Sequence, residues 1–148
     1  MRELIRPEFF ARKVIGQPNG NVLHGLRKSD NEFLEFGEVY ISKLNRGCIK
    51  GWKKHTSAYL NLIVTSGAVR FVALSVSPHK SGDVIKVLDI CVDENNHGLL
   101  VVPPGFWLAF GVGCDNEATI INVSTEEHDP QESISMPFEF FKDYWSKS

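Results

Sequence analysis

Hydrophobic and polar residues alternate along much of the chain, and this pattern predicts β-strands rather than helices. The run Gly-Glu-Val-Tyr-Ile-Ser at 37–42 alternates polar and apolar side chains, as a strand with one buried face does. Continuous apolar runs at 68–74 and 99–102 fit strands that are buried on both faces. Further strands are predicted at 61–64, 84–90, 109–112 and 118–124.

Residues that favour turns separate these strands at short intervals. Gly67 follows Thr65 and Ser66 between two apolar runs, which indicates a hairpin. Pro103-Pro104 ends the strand before it, because proline cannot donate to a sheet ladder. Other turns or loops are predicted at 16–21, 77–83, 93–98 and 113–116. Many short strands with close turns predict an all-β protein, an antiparallel barrel or jelly roll.

Helical patterns are scarce in this sequence. At 138–145, the aromatic residues Phe138, Phe141 and Trp145 recur at helical spacing, which predicts a short C-terminal helix with one apolar face. A single helical turn is also predicted at residues 7–11. The expected architecture is therefore a β-barrel with a short C-terminal helix.

Composition places the chain among ordinary globular domains. Its 148 residues are 43% hydrophobic and 23% charged, which predicts one domain at 1–148 with a core of its own. The barrel is expected at about 22–130 and an aromatic C-terminal segment at 135–148. The formal net charge of −2 gives no reason to expect nucleic acid or an anionic membrane as a partner.

The termini and cysteines predict a cytoplasmic location. Residues 1–7 contain no apolar run of the kind that a secretory signal needs,. The longest apolar stretches are too short to cross a bilayer,. Three cysteines, Cys48, Cys91 and Cys114, have no metal-type spacing, and we expect buried or half-buried reduced thiols.

Two segments resemble the motifs of the cupin superfamily. The first spans 47–67 and the second spans 98–108. The cupin pattern is Gly, His-x-His, Glu and Gly, followed later by Pro-x-Gly and His. On this chain the four positions that hold the cupin metal read Lys53, His55, Leu60 and Leu108. The resemblance implies an antiparallel jelly roll, or double-stranded β-helix, without a metal or another cofactor.

Among cupins, the chain is most similar to dTDP-4-dehydrorhamnose 3,5-epimerase and its short ketoisomerase relatives. The similarity is carried in chain order by 37–42, 47–52, 102–106 and 117–130. It implies an epimerase or isomerase that acts on a nucleotide-linked, dTDP-type 4-keto-6-deoxy sugar. It also implies a homodimer and a place in the biosynthesis of cell-surface polysaccharide, such as lipopolysaccharide.

The chain departs from this family at the residues that carry its chemistry. The family's histidine base falls on Lys53, and its tyrosine acid falls on Asn122. An arginine that helps bind the nucleotide phosphates falls on Lys50. His55 matches a second histidine that some related ketoisomerases carry. The resemblance therefore implies a site whose base is His55.

The predicted catalytic residues are His55, Lys53, Tyr59 and Asn122. Histidine exchanges protons near neutral pH and is suited to remove a proton beside a ketone. Lys53 shares the strand face of His55 if the strand is regular, and a lysine there would hold the developing oxyanion. Asn122 offers amide hydrogens to sugar oxygens. Tyr59 is the tyrosine near the motif that would replace the missing acid.

The predicted substrate-binding residues are Lys50, Arg46, Asn61 and Trp107. The two basic residues would contact the diphosphate, Asn61 would donate to oxygens, and Trp107 would stack on a ring. Each has an alternative. The basic residues also suit a solvated strand edge, Trp107 also suits the core, and His55 also suits a structural or exposed role.

Other polar groups are predicted to be ordinary surface features. The acidic run at 125–129 reads as a solvated loop, and surface positions are expected for the loop histidines His24, His79, His97 and His128. Two functions remain open at this point, the enzyme and a non-catalytic cupin that binds a nucleotide sugar or carbohydrate. A third alternative is a jelly roll whose cleft is closed by Trp107 and Leu108.

Overall fold

The computed structural model describes residues 3–78, 82–114 and 116–146. The loop residue His79 lies outside the described residues. The elements, in chain order, are β1 (Glu8–Ala11), β2 (Val14–Ile15), β3 (Val22–Leu23), β4 (Glu38–Leu44), β5 (Ile49–His55), β6 (Leu60–Ser66), β7 (Val69–Val76), β8 (Val84–Val92), β9 (Gly98–Val102), β10 (Trp107–Gly111), β11 (Ala118–Ser124), β12 (Ser133–Ser135), a 3₁₀ helix (Phe138–Phe141) and α1 (Lys142–Ser146). No helix among them is long and apolar enough to cross a membrane.

Two five-stranded antiparallel sheets form the body of the molecule. The first sheet has the order β1-β9-β6-β11-β4, and the second has the order β12-β5-β10-β7-β8. Apart from β7 and β8, the neighbours within the two sheets are non-consecutive strands, as in a jelly roll,. β2 and β3 form a separate small hairpin. The all-β jelly roll that the sequence predicts is confirmed.

The interior differs between the two halves of this sandwich. We call the side where β1 and β9 face β7 and β8 the packed half. Its inward side chains, such as Val69, Phe71 and Leu100, are at most 1% exposed and join one large core. We call the side where β4 and β11 face β5 and β12 the open half. Strands β6 and β10 run between the two halves.

The C-terminal helices cover the outer face of the second sheet. Trp52 lies beneath them, with its ring nearly parallel to that of Phe138 at a centroid distance of 6.3 Å. Its indole nitrogen donates to the carbonyl oxygen of Phe138 at 3.2 Å. Phe141 packs edge-on against Trp52, and the Arg70 guanidinium lies over Trp145. The predicted short helix with an apolar face is therefore confirmed.

A bulge in β5 sets the direction of its side chains. Leu108 of β10 lies opposite Lys53, and Phe110 lies opposite Lys50. Three residue steps along β5, from Lys50 to Lys53, thus cover the same length as two steps along β10, from Leu108 to Phe110. The extra residue shifts the alternation of the strand, so that Lys50 and Lys53 face the same side although they are three positions apart.

Four expectations are wrong at the local level. The hairpin predicted at Gly67 does not form, because β6 and β7 belong to different sheets. Residues 8–11 form a strand, not a helical turn, because Phe9 packs into the barrel core while its neighbour Phe10 packs on the opposite face of the sheet. The three cysteines are free and exposed rather than buried. His97, expected on the surface, is 5% exposed and its ring contacts the carbonyl oxygen of His24.

Candidate active site

The open half of the barrel encloses a cavity of about 300 Å³. This volume lies at the lower end of the range for small-molecule pockets and suits a sugar. Six strands and the segment before β12 supply its walls. The lining residues that bear on chemistry are Tyr40, Ser42, Lys50, Lys53, His55, Asn122, Ser124, Glu126, Glu127, His128, Asp129 and Glu132.

The four positions that correspond to cupin metal ligands all lie in this cavity wall. They are Lys53, His55, Leu60 and Leu108. Of these, His55 alone carries a group that binds divalent metals well. Among the described residues, no three or more His, Cys, Asp or Glu side chains are grouped to hold a metal ion. The residues present do not fit the cupin metal.

His55 is paired with a carboxylate at the end of β5. Its Nδ1 lies 2.6 Å from Oε1 of Glu132, and the two side chains are 23% and 11% exposed. A carboxylate at Nδ1 fixes the orientation and tautomer of the imidazole. The pair leaves Nε2 as the ring nitrogen that is free to exchange a proton inside the cavity.

Glu132 is held in place by the turn that follows β5. Its Oε2 accepts hydrogen bonds from the backbone N–H groups of Thr56, Ser57 and Ala58 at 2.9 to 3.0 Å. Burial alone would raise the pKa of Glu132, but the bonds from Ser57, Ala58 and His55 outweigh it and lower that pKa to about 2. The carboxylate is therefore ionised at neutral pH and lies within hydrogen-bonding distance of Nδ1 of His55.

The basic residues of β5 are divided between two faces of the sheet. Lys50 and Lys53 line the cavity, whereas the ammonium of Lys54 lies 5.2 Å from the ring centre of Trp107. β5 is hydrogen-bonded to β10 on one side and to β12 on the other. The alternative of an unpaired, solvated strand edge therefore does not hold for Lys53 and Lys54, whereas Lys50 is exposed and lies beyond the pairing with β12.

Asn122 presents its amide nitrogen to the cavity. Its Oδ1 accepts the backbone N–H of Asn61 at 3.2 Å, and this bond assigns the orientation of the amide. The Nδ2 group remains as a donor for an oxygen inside the cavity. The half-buried amide of Asn122 thus has one defined partner for its oxygen, and its nitrogen is available to a ligand.

Tyr40 is a cavity residue that sequence reasoning missed. It lies on β4 directly opposite Asn122 of β11. Burial, and then the hydrogen bonding and charge of Glu38 and the charge of Glu132, raise the pKa of Tyr40 to about 12. The alternation at 37–42 already placed Tyr40 on one face of a strand. What the sequence lacked was the pairing of that strand with β11.

The acidic segment after β11 forms part of the cavity wall. Glu126, Glu127, His128 and Asp129 line it, and the backbone N–H of His128 donates to the carboxylate of Glu38 at 2.8 Å. Glu127, His128 and Asp129 are exposed, as expected of a solvated loop and a surface histidine, and they line the cavity as well. The contact that fixes this segment joins residues 90 positions apart in the chain.

Four of the eight predicted site residues lie in the cavity wall: His55, Lys53, Asn122 and Lys50. The other four do not line it. Tyr59 lies on the outer face of the first sheet, where its ring packs near Leu4 and its hydroxyl donates to Glu3. Arg46 is an exposed turn residue.

Asn61 and Trp107 also point away from the cavity. Asn61 is 2% exposed and donates its amide to the carbonyl oxygen of Val123 at 2.9 Å. It alternates with Leu60 and Leu62, which face inward. Trp107 packs against Phe141 in the outer core, so the core alternative is the one observed. Because Trp107 points outward and a cavity is present, the alternative of a closed cleft is wrong.

Solved structures share this fold over nearly the whole chain. A dTDP sugar isomerase from Desulfovibrio desulfuricans G20 matches with a TM-score of 0.82 and 25% identity, over 96% of this chain and 89% of that one. A 4-keto-6-deoxy sugar epimerase from Streptomyces spheroides matches with a TM-score of 0.74 and 16% identity, over 91% and 72%.

A third match is a sugar 3,4-ketoisomerase from Thermoanaerobacterium thermosaccharolyticum, solved in complex with TDP. It has a TM-score of 0.70 and 15% identity, over 97% of this chain and 98% of that one. No family model and no curated protein matches the sequence. The fold is thus the cupin jelly roll of the dTDP-4-dehydrorhamnose 3,5-epimerase type, and these structural neighbours are sugar epimerases and isomerases.

Proposed function

We propose that this protein is a metal-independent epimerase or ketoisomerase of a dTDP-linked 4-keto-6-deoxy sugar. The observation that carries the proposal is the His55–Glu132 pair in the cavity wall, at 2.6 Å. It lies in a fold that, among its solved neighbours, belongs to a dTDP sugar isomerase and a 4-keto-6-deoxy sugar epimerase. Synthesis of cell-surface polysaccharide, such as lipopolysaccharide, is the proposed context.

The first chemical step is removal of a proton beside the ketone. Nε2 of His55 takes the proton, and Glu132 stabilises the imidazolium that forms. The electron pair of the broken C–H bond forms a carbon–carbon double bond, and the ketone oxygen becomes an enolate. Reprotonation at the same carbon from the other side gives an epimer. If the deprotonated carbon carries a hydroxyl, loss of the hydroxyl proton and protonation of the former carbonyl carbon and its oxygen give an isomeric ketone.

Two cavity residues are suited to stabilise the enolate oxygen. Lys53 follows the strand alternation of His55 and lines the same wall, so its ammonium supplies a positive charge near the reacting carbons. Nδ2 of Asn122 supplies a neutral donor from the first sheet. Preorganised donors of this kind lower the barrier because they need no reorientation as charge develops.

Lys50 is proposed to contact the diphosphate of the nucleotide. It lies on the cavity-facing side of β5, away from the His55–Glu132 end of the strand. This arrangement orients the substrate with its sugar toward His55 and its phosphates toward Lys50. Arg46, Asn61 and Trp107 have no role in this proposal because they do not line the cavity.

The test is proton exchange in heavy water. The protein is incubated with dTDP-4-keto-6-deoxyglucose and related 4-keto sugars, and deuterium at the carbons beside the ketone is followed by NMR. We expect uptake with the wild type and a loss of about 10²- to 10⁴-fold in His55→Asn. The Tyr144→Phe variant, altered on the opposite face of the second sheet, is expected to match the wild type.

The same experiment separates the enzyme from a non-catalytic binding cupin. No deuterium uptake from any of these sugars, together with dTDP-sugar binding that His55→Asn leaves unchanged in calorimetry, would replace the first proposal with the second. The substitutions at Lys53, Leu60 and Leu108 give that alternative its motivation, because ligands of the cupin site have been lost while the cavity remains.

A cytoplasmic homodimer is also proposed. The free, exposed thiols of Cys48, Cys91 and Cys114 suit a reducing compartment. Val39 and Ile41 on the edge strand β4 are 46% and 66% exposed, and such an apolar face suits burial against a second copy. Sedimentation at micromolar concentration would show a mass near twice that of the chain, and a monomer there would contradict the dimer.

A further inference from the structure

Epimerisation at a carbon needs a second group on the far side of the ring from His55. The base removes the proton from one face of the sugar, and inversion requires a proton donor on the other. His55 belongs to the second sheet. The donor must therefore extend from the first sheet into the same cavity, with a hydrogen to give at neutral pH.

Tyr40 meets these requirements. It extends from β4 of the first sheet and lines the cavity. Among the described residues it is the tyrosine in that wall, since Tyr59 faces the outside of the sheet. We propose that Tyr40 is the proton donor of this site, delivering its phenolic hydrogen to the sugar carbon on the face opposite His55. This inference rests on the proposed function.

The register of the first sheet places Tyr40 beside the amide that is proposed to bind the enolate. Tyr40 and Asn122 are direct partners across β4 and β11, and both side chains face the cavity. Side chains at such paired positions are separated by about 5 Å at their Cβ atoms. A phenol at either position would therefore lie in the same region of the cavity.

The surroundings of Tyr40 keep it protonated and close to the base. Burial and the neighbouring Glu38 raise the pKa of its phenol, so the hydrogen is present throughout the neutral range. The charge of Glu132, which binds His55, also acts on Tyr40. The His128 ring packs edge-on against Tyr40 at a centroid distance of 6.4 Å, which fixes the phenol ring on the wall.

The proton balance closes without a further reactant. The C–H bond breaks, its proton goes to Nε2 of His55, and the electron pair forms the enolate. The enolate carbon then takes the hydrogen of Tyr40, the enolate collapses to the ketone, and Tyr40 is left as a phenolate. Water returns a proton to the phenolate, and His55 releases its own proton to water, so that substrate and product are isomers.

The experiment compares exchange with product formation in Tyr40→Phe. Both are followed by NMR with dTDP-4-keto-6-deoxyglucose in heavy water, and Tyr59→Phe is the matched control outside the cavity. We expect Tyr40→Phe to take up deuterium beside the ketone at near the wild-type rate while product formation falls about 100-fold or more. Tyr59→Phe should keep both rates within about twofold.

A second variant tests the equivalence of the two paired positions. In Tyr40→Phe/Asn122→Tyr, a phenol returns on the adjacent strand, and we expect product formation to recover at least about tenfold over Tyr40→Phe. Product formation by Tyr40→Phe within threefold of the wild type would overturn the proposal. An equal loss of exchange and product would do so as well, because a proton donor acts after the base. A wild type without any exchange would instead remove the proposed function.

Discussion

The strands of the packed half and of the open half alternate in the same way, but their inward side chains differ. They form an apolar core in the packed half and line a cavity in the open half. In the packed half, the inward positions carry Val69, Phe71 and Leu100, all essentially inaccessible to solvent. In the open half, the corresponding positions carry Tyr40 and Asn122 around a cavity of about 300 Å³. One half supplies the buried apolar area that stabilises the fold. The open half can carry polar residues because the apolar core of the packed half already stabilises the fold.

The largest effect on folding is expected in the packed half. Phe71→Ala removes a fully buried ring and should lower the free energy of unfolding by about 3–5 kcal/mol, because the void left behind is only partly refilled. The folded fraction should bind dTDP as the wild type does. Urea unfolding and calorimetry measure the two quantities. A loss below about 1 kcal/mol would contradict the division into halves, and Ile41→Ala on the exposed face serves as the control.

In the open half, stability should depend on pH through Glu132. This carboxyl has a pKa of about 2 in the folded protein, against an ordinary value of 4.5. Its ionised form therefore stabilises the fold fully above about pH 4.5, and this contribution is lost as the pH falls toward 2. Unfolding free energies measured from pH 6 to pH 2.5 should decline less steeply in Glu132→Gln than in the wild type.

The Asp89 carboxyl provides a comparison for this test, because it also has a lowered pKa but lies outside the cavity. Hydrogen bonding to Arg70, against a smaller opposing effect of burial, lowers the pKa of Asp89 to about 2, so part of the acid sensitivity belongs to the second sheet. Glu132→Gln should keep that part, and Asp89→Asn should keep the part that belongs to the cavity. Identical pH slopes in Glu132→Gln and the wild type would show that the His55 pair does not stabilise the open half.

The smallest expected effect is on dTDP binding, and it should distinguish two basic residues that are near each other in sequence. Lys50 lines the cavity, and Arg46 lies in an exposed turn. Lys50→Met should weaken dTDP binding about three- to tenfold, because an exposed charge contributes less than a buried one. Arg46→Met should leave binding unchanged. Calorimetry at two salt concentrations measures both, and equal losses in the two variants would place the diphosphate elsewhere.

The sequence predicts the fold well because its strands obey a local rule. The alternation at 37–42 and the apolar runs at 68–74 and 99–102 became β4, β7 and β9. The register of the cupin motif also holds, since Lys53, His55, Leu60 and Leu108 all line one cavity. At 8–11 the local pattern was too short to separate a helical turn from a strand, and pairing with β9 decided it.

The site was predicted only in part because its remaining residues depend on contacts between distant segments. Glu132 meets His55 across 77 positions, and Tyr40 meets Asn122 through the pairing of β4 with β11. Neither contact has a local signature. The sequence indicates Tyr59 because it lies near His55 in the chain, but its ring packs on the outer face of the first sheet.

The dependence of His55 on Glu132 bears on how the protein is made. During synthesis the chain leaves the ribosome from its N-terminus, and β5 emerges well before the turn that carries Glu132. The backbone N–H groups of Thr56, Ser57 and Ala58 bind the carboxylate of Glu132, which is translated only after strands β1 to β11. Because β4 pairs with β11 and β5 pairs with β10 and β12, the barrel itself also depends on these late strands, and a chain that ended before residue 132 would lack the carboxylate that orients His55.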